Sequence, residues 1–474
     1  MEKMEENKFD KSEIKGIFTG PLSPVIIKLA MPILAGMVFQ LFYTIVDTAF
    51  INFIDPKNPA ILGGTGYIFP VMFVAMALSN GLSVGLSALV AKGIGEKDDN
   101  IIYKTAESGL FIALVISVLV YVFGYVFSEQ IILGLGATGD YFKYGHDYFI
   151  YILPITGFML FGSVLGGILQ GEGLMQKFMN YMIIGTVLNI VLDPFFIFES
   201  INLKFITIPG LGLGVKGAAI ATVIGQFFSF IYLVSIFIKK ETLVTLEWKF
   251  SHVTPSIMKR IFFIGFPQSF GQLIMSFAFV IMNLIATKID PLIVTSSSLV
   301  GRVEQLVYMP LFAIAAATIT VVGQNMGRKS VDRVEKTWKV SMLISAGIVL
   351  FTSSMFFIFA QKIYGLFKQT PEVTFYAVTQ TRVIMPFMLI SAVVIITRAV
   401  YQAIGYPIPG LMLTSLRFFV IVIPSMLIYV FVFDLGFHGM LYGHITAMIV
   451  TAIVAWFWMK SSMKKLKLGK LKTI

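Results

Sequence analysis

Long apolar stretches separated by short polar joints dominate the sequence. Each stretch is long enough for a helix that crosses a bilayer, which takes about 20 predominantly apolar residues, and the pattern predicts twelve of them. The predicted spans are 25–52, 62–90, 103–127, 144–169, 176–198, 215–238, 258–288, 295–322, 338–361, 377–403, 409–433 and 438–459. The chain is therefore predicted to be an all-α integral membrane protein without a large soluble domain.

The amino-acid composition agrees with a membrane protein and excludes several kinds of functional site. The 474 residues are 57% hydrophobic and only 13% charged, whereas ordinary soluble domains have roughly 45–50% apolar and about 25% charged residues. The sequence contains no cysteine, which excludes disulfides, thiolate nucleophiles and Cys-ligated metal sites. Its four histidines are too scattered to predict a His-rich metal centre.

The charges predict the orientation of the chain. The net charge is +11, and basic residues such as Lys92, Arg328 and Lys464 concentrate on the side of the membrane that carries the C-terminal tail. The positive-inside rule places that side in the cytoplasm, and twelve spans place the N-terminus there too. Anionic lipid accounts for the positive charge, so we expect no nucleic-acid partner. Residues 1–20 lack the pattern of a signal peptide, and we expect a multi-pass protein of the cell membrane.

The second half of the chain repeats the first. Shifts of 222 to 235 residues align the two halves, with Pro32 matching Pro267, Gly95 matching Gly327, Pro154 matching Pro386 and Gln170 matching Gln402. Because six spans return the chain to the same side, the repeats are parallel, as in some transporters. The predicted regions are a cytoplasmic segment 1–20, a six-helix bundle 21–238, a linker 239–257, a second bundle 258–459 and a basic tail 460–474.

Polar residues inside the first-half spans form a candidate site. Gln40, Tyr43 and Asp47 follow the spacing i, i+3 and i+7 and make one polar stripe on an apolar helix. In the fifth span, Asn189 and Asp193 lie one turn apart. Charges inside a membrane are costly and are usually functional.

These carboxylates, the amide and nearby hydroxyls such as that of Thr222 are hard oxygen ligands suited to a proton or a small cation such as Na⁺. The alternative is a structural hydrogen-bond network between helices. Pro32 lies about four turns before Asp47 and offers a place for the first span to bend.

The second half has lost both carboxylates at the equivalent positions and carries other ionisable residues. Arg302, Glu304, Arg398 and Arg417 lie inside its spans. Residues 302 and 304 point about 200° apart on a helix. Two interpretations remain open for these charges, a structural pairing of Glu304 with Arg302 or Arg398, and contact with a substrate. Two buried arginines would suit an anionic or zwitterionic substrate.

Two motifs resemble those of enzymes. Gly81–Gly85 fits G-x-S-x-G, but it lies inside an apolar helix without a preceding strand, so helix packing through small residues is the better interpretation. Gly212–Gly217 fits G-x-G-x-x-G, but it opens a membrane helix. The sequence therefore does not predict an enzyme.

The stretches PVIIKLAMPILAGMVFQLFYTIVDTAFI, VAKGIGEKD, LNIVLDPFFIF, GVKGAAIATVIGQ and RAVYQAIG together resemble the multidrug and toxic compound extrusion (MATE) family, and the DinF-like branch in particular. The resemblance implies that Asp47, Asn189, Asp193 and Thr222 bind the coupling ion, that Gln40 and Tyr43 line the first-bundle cavity, and that Pro32 permits bending. The second-bundle acids of sodium-coupled relatives are not evident here, where Gln272 and Arg398 are the polar candidates.

The residues and the resemblance together predict a secondary antiporter that exports amphiphilic, cationic organic compounds in exchange for H⁺ or Na⁺. Sodium would bind at Asp47, Asn189 and Asp193, and Gln272, Arg302, Glu304 and Arg398 are candidates for the substrate cavity. We expect a monomer that contacts membrane lipid and small-molecule substrates and needs no cofactor. The nearest alternative is a flippase for lipid-linked oligosaccharides or lipids from the same superfamily, which would favour a cationic cavity and additional spans.

Overall fold

The structure, a computed structural model, describes residues 12–55, 57–203, 206–244, 246 and 250–473. Parts of several predicted regions lie outside the described residues. These parts are residues 1–11 of the N-terminal segment, Pro56, residues 204–205, residues 245 and 247–249 of the linker, and Ile474 of the tail.

Helices make up most of the described chain, which confirms the predicted fold class. Among the described residues, eleven helices are long and apolar enough to cross a membrane, and a bent helix pair completes a twelfth span. The twelve spans are Leu22–Ile54, Pro59–Gly66 with Phe69–Glu96, Asp99–Val126, Gly139–Ile152 with Ile155–Glu172, Met175–Ile197, Val215–Ile238, Pro255–Ile289, Pro291–Gly327, Val331–Gly365, Pro371–Met388 with Ser391–Ala403, Ile408–Val432 and Gly436–Lys467. The remaining helical elements are Ser12–Thr19, Ser128–Gly134 and the 3₁₀ turn Phe250–His252.

Two spans that the sequence predicts as continuous helices are broken. In the fourth span, Pro154 directly precedes the second helix, and its ring cannot continue the preceding one. In the tenth span, the two helices are bent by 53° shortly after Pro386. Since these prolines are partners in the repeat, each half has a break within a few residues of the same repeat position.

Two local features of the structure were not predicted from the sequence. The loop after the fifth span forms an antiparallel hairpin of Ser200–Leu203 and Ile206–Pro209, in which Ile201 pairs with Ile208. The eleventh span contains two π-helical segments, Leu416–Val422 and Ile428–Val432. Short π-helical segments are rare and are often found at functional sites.

The described chain forms two compact units, each discontinuous in sequence. The N-unit comprises Pro32–Val90 and Asp98–Gly265, and the C-unit comprises the chain up to Met31, Ala91–Lys97 and the chain from Phe266. The limits within the first and seventh spans thus fall beside Pro32 and Pro267, which are partners in the repeat. Buried apolar side chains fill each unit, for example Ile68 and Phe149 in the N-unit and Val300 and Leu311 in the C-unit.

The end of the second span crosses the end of the eighth within the C-unit with their backbones in contact. A Cβ atom on Gly95 would overlap the carbonyl oxygen of Gln324, and one on Gly327 would overlap the carbonyl oxygen of Lys92. Gly95 and Gly327 match each other in the repeat. Glycine is therefore required on both sides of this crossing.

A short N-terminal helix, Ser12–Thr19, docks on the C-unit. The Asn325 amide donates to the carbonyl of Ile17 at 3.3 Å. The Arg333 guanidinium donates to the carbonyls of Ile17 at 3.0 Å and Gly20 at 2.7 Å. These side chains thus bond to carbonyls at the end of a helix, where no further turn supplies donors.

The start of the linker is held by the N-unit. The buried Glu172 carboxylate accepts hydrogen bonds from the N–H groups of Leu243 at 2.9 Å and Val244 at 3.0 Å. The Lys177 ammonium lies 2.8 Å from the Glu241 carboxylate and holds the pKa of that carboxyl below its usual range. These contacts fix the chain as it leaves the sixth span.

Candidate functional site

The fifth and sixth spans bring three of the predicted site residues together. Asn189 and Asp193 occupy one face of the fifth span, and the Asn189 amide donates to Asp193 Oδ1 at 3.2 Å. The same amide donates to Thr222 Oγ1 of the sixth span at 2.9 Å. Thr222 in turn donates to the carbonyl of Ala218 at 2.9 Å. Asn189, Asp193 and Thr222 are all buried, and Asp193 is 0% exposed.

Glycine explains why these two helices approach so closely. A Cβ atom on Gly225 would lie 2.9 Å from the carbonyl oxygen of Gly185 and 3.3 Å from the backbone nitrogen of Asn189. Small residues at such positions let helix backbones approach one another in a membrane. The close approach places Thr222 within reach of Asn189.

The first span adds a carboxylate and a tyrosine to this group. The Tyr43 hydroxyl hydrogen-bonds the Thr222 side chain and interacts electrostatically with Asp47 and Asp193. Asp47 and Asp193 also interact with each other. Gln40, the first residue of the predicted stripe, is exposed. The structure therefore joins Tyr43 and Asp47 to the residues of the fifth and sixth spans.

Sequence reasoning missed one member of this site. Tyr148, from the helix Gly139–Ile152, interacts electrostatically with Tyr43, Asp47 and Asp193. We call Tyr43, Asp47, Tyr148, Asn189, Asp193 and Thr222 the acidic cluster. Tyr148 gives no signal in the sequence because that helix contains several other tyrosines.

Three acceptor oxygens of the acidic cluster have no donor in the described part of the chain. They are Asp47 Oδ1, Asn189 Oδ1 and Asp193 Oδ2, and all three atoms are buried. Leaving a buried carboxylate oxygen without a partner is costly. A proton or a hard cation removes that cost by supplying the missing positive charge. The described residues contain no group of three or more His, Asp or Glu side chains arranged for a metal, so a cation here would rely on two carboxylates and neutral oxygens.

Of the residues predicted for the substrate cavity, Gln40 and Tyr43 lie in the N-unit, and the four from the second half lie in the C-unit and are not all together. Arg398 donates to Gln268 Oε1 at 3.0 Å. Glu304 is half-buried and interacts with Arg417, not with either of the arginines predicted as its partner. Arg302 is exposed, consistent with the different directions of residues 302 and 304. Gln272 is half-buried.

The G-x-S-x-G motif serves helix packing, as the sequence indicates. A Cβ atom on Gly85 would lie 2.7 Å from the carbonyl oxygen of Ile261, and one on Gly265 would overlap the carbonyl oxygen of Gly81. The motif thus forms the contact between the second and seventh spans within the N-unit.

A twelve-span helical chain with an internal repeat and a buried pair of acids has the architecture of a membrane transporter. The MatE family model matches residues 32–195 and 267–428, more than half of the chain and equivalent parts of its two halves. The chain belongs to this MATE family, and it is a membrane transporter, not an enzyme. Its assignment to the DinF-like branch stays a prediction.

Relatives and solved structures match over nearly the whole chain. It is 23% identical to the multidrug export protein MepA of Staphylococcus haemolyticus over 94% of this chain and 95% of the relative. A multidrug resistance MATE family transporter of the MOP superfamily, solved in an outward-facing conformation, has a TM-score of 0.87 at 27% identity and covers 96% of this chain and 99% of its own. A MATE in complex with MaD3S has a TM-score of 0.88 at 28% identity, covering 95% and 98%.

Proposed function

We propose that this chain is a secondary active exporter of amphiphilic, cationic organic compounds, driven by antiport of H⁺ or Na⁺ through alternating access. The observation that carries the coupling is the acidic cluster, with the buried carboxylate of Asp193, the half-buried one of Asp47 and three buried acceptor oxygens that lack donors in the described chain. The substrate class is supported by the MepA relatives, which are multidrug export proteins.

Coupling follows from the charge of the acidic cluster. With Asp47 and Asp193 both ionised, two negative charges interact in a buried environment and repel each other. Binding of one H⁺ or Na⁺ lowers this repulsion and gives the free oxygens a partner. The cluster therefore has two states of different charge, and the first span, which carries Asp47 and contains Pro32, is the element on which the change acts.

The proposal also covers the orientation of the chain in the membrane, its oligomeric state and its need for cofactors. Both termini lie in the cytoplasm of a plasma-membrane protein, because the basic joints share the side of the tail. The transporter acts as a monomer among membrane lipids. The transported cation is cargo, and no further cofactor is involved.

Efflux from proteoliposomes with each ion gradient imposed separately tests this function. A fluorescent organic cation is loaded, and either a pH gradient or a sodium gradient is applied at constant membrane potential. We expect one of the two gradients to drive export of the cation. If neither gradient changes the export rate, the antiport proposal is wrong.

An exposed carboxylate provides the control for the coupling residues. Asp140 lies in the N-unit, at the start of the helix that carries Tyr148, and is exposed. Asp140→Asn makes the same chemical change as Asp193→Asn without altering the acidic cluster. We expect Asp140→Asn to retain gradient-driven export.

A further inference from the structure

The C-unit contains a second group of ionisable side chains that cation coupling does not use. Arg417 of the eleventh span interacts electrostatically with Glu304 of the eighth, Arg398 of the tenth and His444 of the twelfth. Each of the four residues is half-buried. We call this group the arginine cluster.

The side chain of Arg398 is held in a defined position. Gln268 Oε1 accepts from Arg398 Nη2 at 3.0 Å and from Gln402 Nε2 at 2.7 Å. A Cβ atom on Gly271 would lie 3.5 Å from Arg398 Nη2, and one on Gly410 would lie 3.5 Å from Arg398 Cγ. The guanidinium therefore lies in a slot between two glycines, while its Nε atom is buried and has no partner in the described chain.

Arg417 occupies an irregular part of the fold. It lies in the π-helical segment Leu416–Val422, and its Nε atom is also buried and without a partner among the described residues. Among all the residues that the structure describes, no ion pair joins Arg417 or Arg398 to a carboxylate. Two guanidinium groups therefore keep free donors inside a membrane-spanning unit.

The charges of this cluster do not balance. An arginine side chain stays protonated in proteins, so Arg398 and Arg417 contribute two positive charges, and Glu304 supplies at most one negative charge. An unbalanced charge among membrane spans is costly and indicates a function. The two free Nε–H donors and the excess positive charge match an acidic group, since a guanidinium binds a carboxylate through two parallel hydrogen bonds.

We propose that Arg398 and Arg417 bind the carboxylate of a transported compound, so that the chain also accepts zwitterionic and anionic amphiphiles. This inference rests on the proposed export function and assigns the side chains that would hold an acidic group of the substrate. The apolar part of such a compound has aromatic surface nearby in the exposed ring of Phe279, which lies 6.2 Å from the buried ring of Phe418, the residue after Arg417.

Two fluorescent rhodamines that differ only in one ester provide the test. Rhodamine 6G carries an ethyl ester and is a cation, and rhodamine 19 is the corresponding free acid. Their affinities for the purified full-length protein in detergent are measured by fluorescence anisotropy. We expect the wild-type protein to bind the acid about tenfold more tightly than the ester, the size of one charge-assisted hydrogen bond. Equal affinities for the two dyes would overturn the proposal.

Variants assign the preference to the two arginines. Arg398→Gln and Arg417→Gln should each abolish the preference for the acid over the ester, and retained binding of the ester shows that the variant is folded. Arg260→Gln, at an exposed arginine near the start of the seventh span, should keep the full preference. The preference must be lost in both glutamine variants, and its persistence in either one contradicts the proposal.

Lysine variants cover the case in which a glutamine variant does not fold. Arg417→Lys and Arg398→Lys keep the charge but lose the planar pair of donors, so we expect a reduced preference for the acid, and an unchanged preference contradicts the proposal. The proposed function is tested separately by gradient-driven export of rhodamine 6G. Failure of that export would reject antiport, whereas a missing acid preference with intact export would reject only the arginine site.

Discussion

At the scale of single residues, the acidic cluster shows how an unsatisfied atom points to chemistry. Asn189 and Thr222 already donate or accept within the cluster, yet one oxygen on each of Asp47, Asn189 and Asp193 has no donor among the described residues. A network built only for stability would satisfy these atoms, because unpaired buried oxygens cost free energy. The open acceptors are therefore positions for a cation.

Asparagine substitutions distinguish a coupling site from a structural network. Asp47→Asn and Asp193→Asn keep the size and much of the hydrogen-bonding capacity of each side chain but remove its charge. We expect each to lower gradient-driven efflux by about tenfold or more with normal expression. The double variant should be no worse than either single variant, because the pair acts as one unit. Efflux at matched protein levels in proteoliposomes measures this, and wild-type ion dependence in Asp47→Asn would exclude the site.

Tyr148 tests the part of the cluster that only the structure reveals. Its phenol group interacts electrostatically with both carboxylates, and the O–H dipole of a neutral phenol can stabilise them when they are ionised. Without that hydroxyl, Tyr148→Phe should bind the driving cation more tightly, and half-maximal efflux should need about three- to tenfold less cation. Tyr151→Phe, on the same helix but largely exposed, is the matched control. An identical cation dependence in wild type and Tyr148→Phe would remove Tyr148 from the site.

The sequence could predict most of the cluster because polar residues stand out at helical spacing on an apolar span. Asp47, Asn189 and Asp193 are such residues. Tyr148 could not be found this way, because the chain has 18 tyrosines and a tyrosine on an amphipathic helix is ordinary. Arg417 was visible as a charge inside a span, but its contacts with three other spans depend on tertiary packing.

At the scale of helices, the two broken spans each have a proline close to the break. Apolar length predicts that a span exists, but it is insensitive to a break within the span, so the breaks at Pro154 and near Pro386 appear only in the structure. The hairpin and the π-helical segments were missed for a similar reason. The hairpin depends on backbone pairing across a loop, and the π-helical segments depend on about one extra residue per helical turn.

Pro32 is expected to set the rate of a shape change in the first span. It lies inside the helix Leu22–Ile54, where it removes a backbone hydrogen bond. Pro32→Ala restores that bond and should slow transport by about two- to tenfold without changing insertion, because conformational steps often limit turnover. Pro291→Ala, at the first position of a helix where proline costs nothing, is the control. Turnover equal to wild type would show that Pro32 does not limit the shape change.

At the scale of the whole molecule, the repeat and the number of spans follow from the sequence, but the composition of the two compact units does not. The N-unit and the C-unit each take in part of a span from the other half of the repeat. Which unit a helix end belongs to depends on the helix ends that it packs against, as at Gly95 and Gly327. No local sequence pattern encodes this packing.

The orientation in the membrane is open to a direct test, because the sequence contains no cysteine to give background labelling. Cysteine substitutions at the exposed positions Lys57, Lys97 and Ser461 are treated in intact cells with a membrane-impermeant maleimide. The basic joints predict labelling of Lys57→Cys only. Labelling of Ser461→Cys would reverse the orientation, and labelling of all three variants after the cells are opened is the control.

The docked N-terminal helix sets an order for biosynthesis. Ile17 leaves the ribosome well before its partner Asn325, which follows 308 positions later. At about 5–20 residues per second, that partner is made roughly 15 to 60 s afterwards. The helix therefore waits while seven spans are synthesised, and it reaches its place only when the eighth has been made. The helix is thus made before the first span but is held in place only after two thirds of the spans have been made.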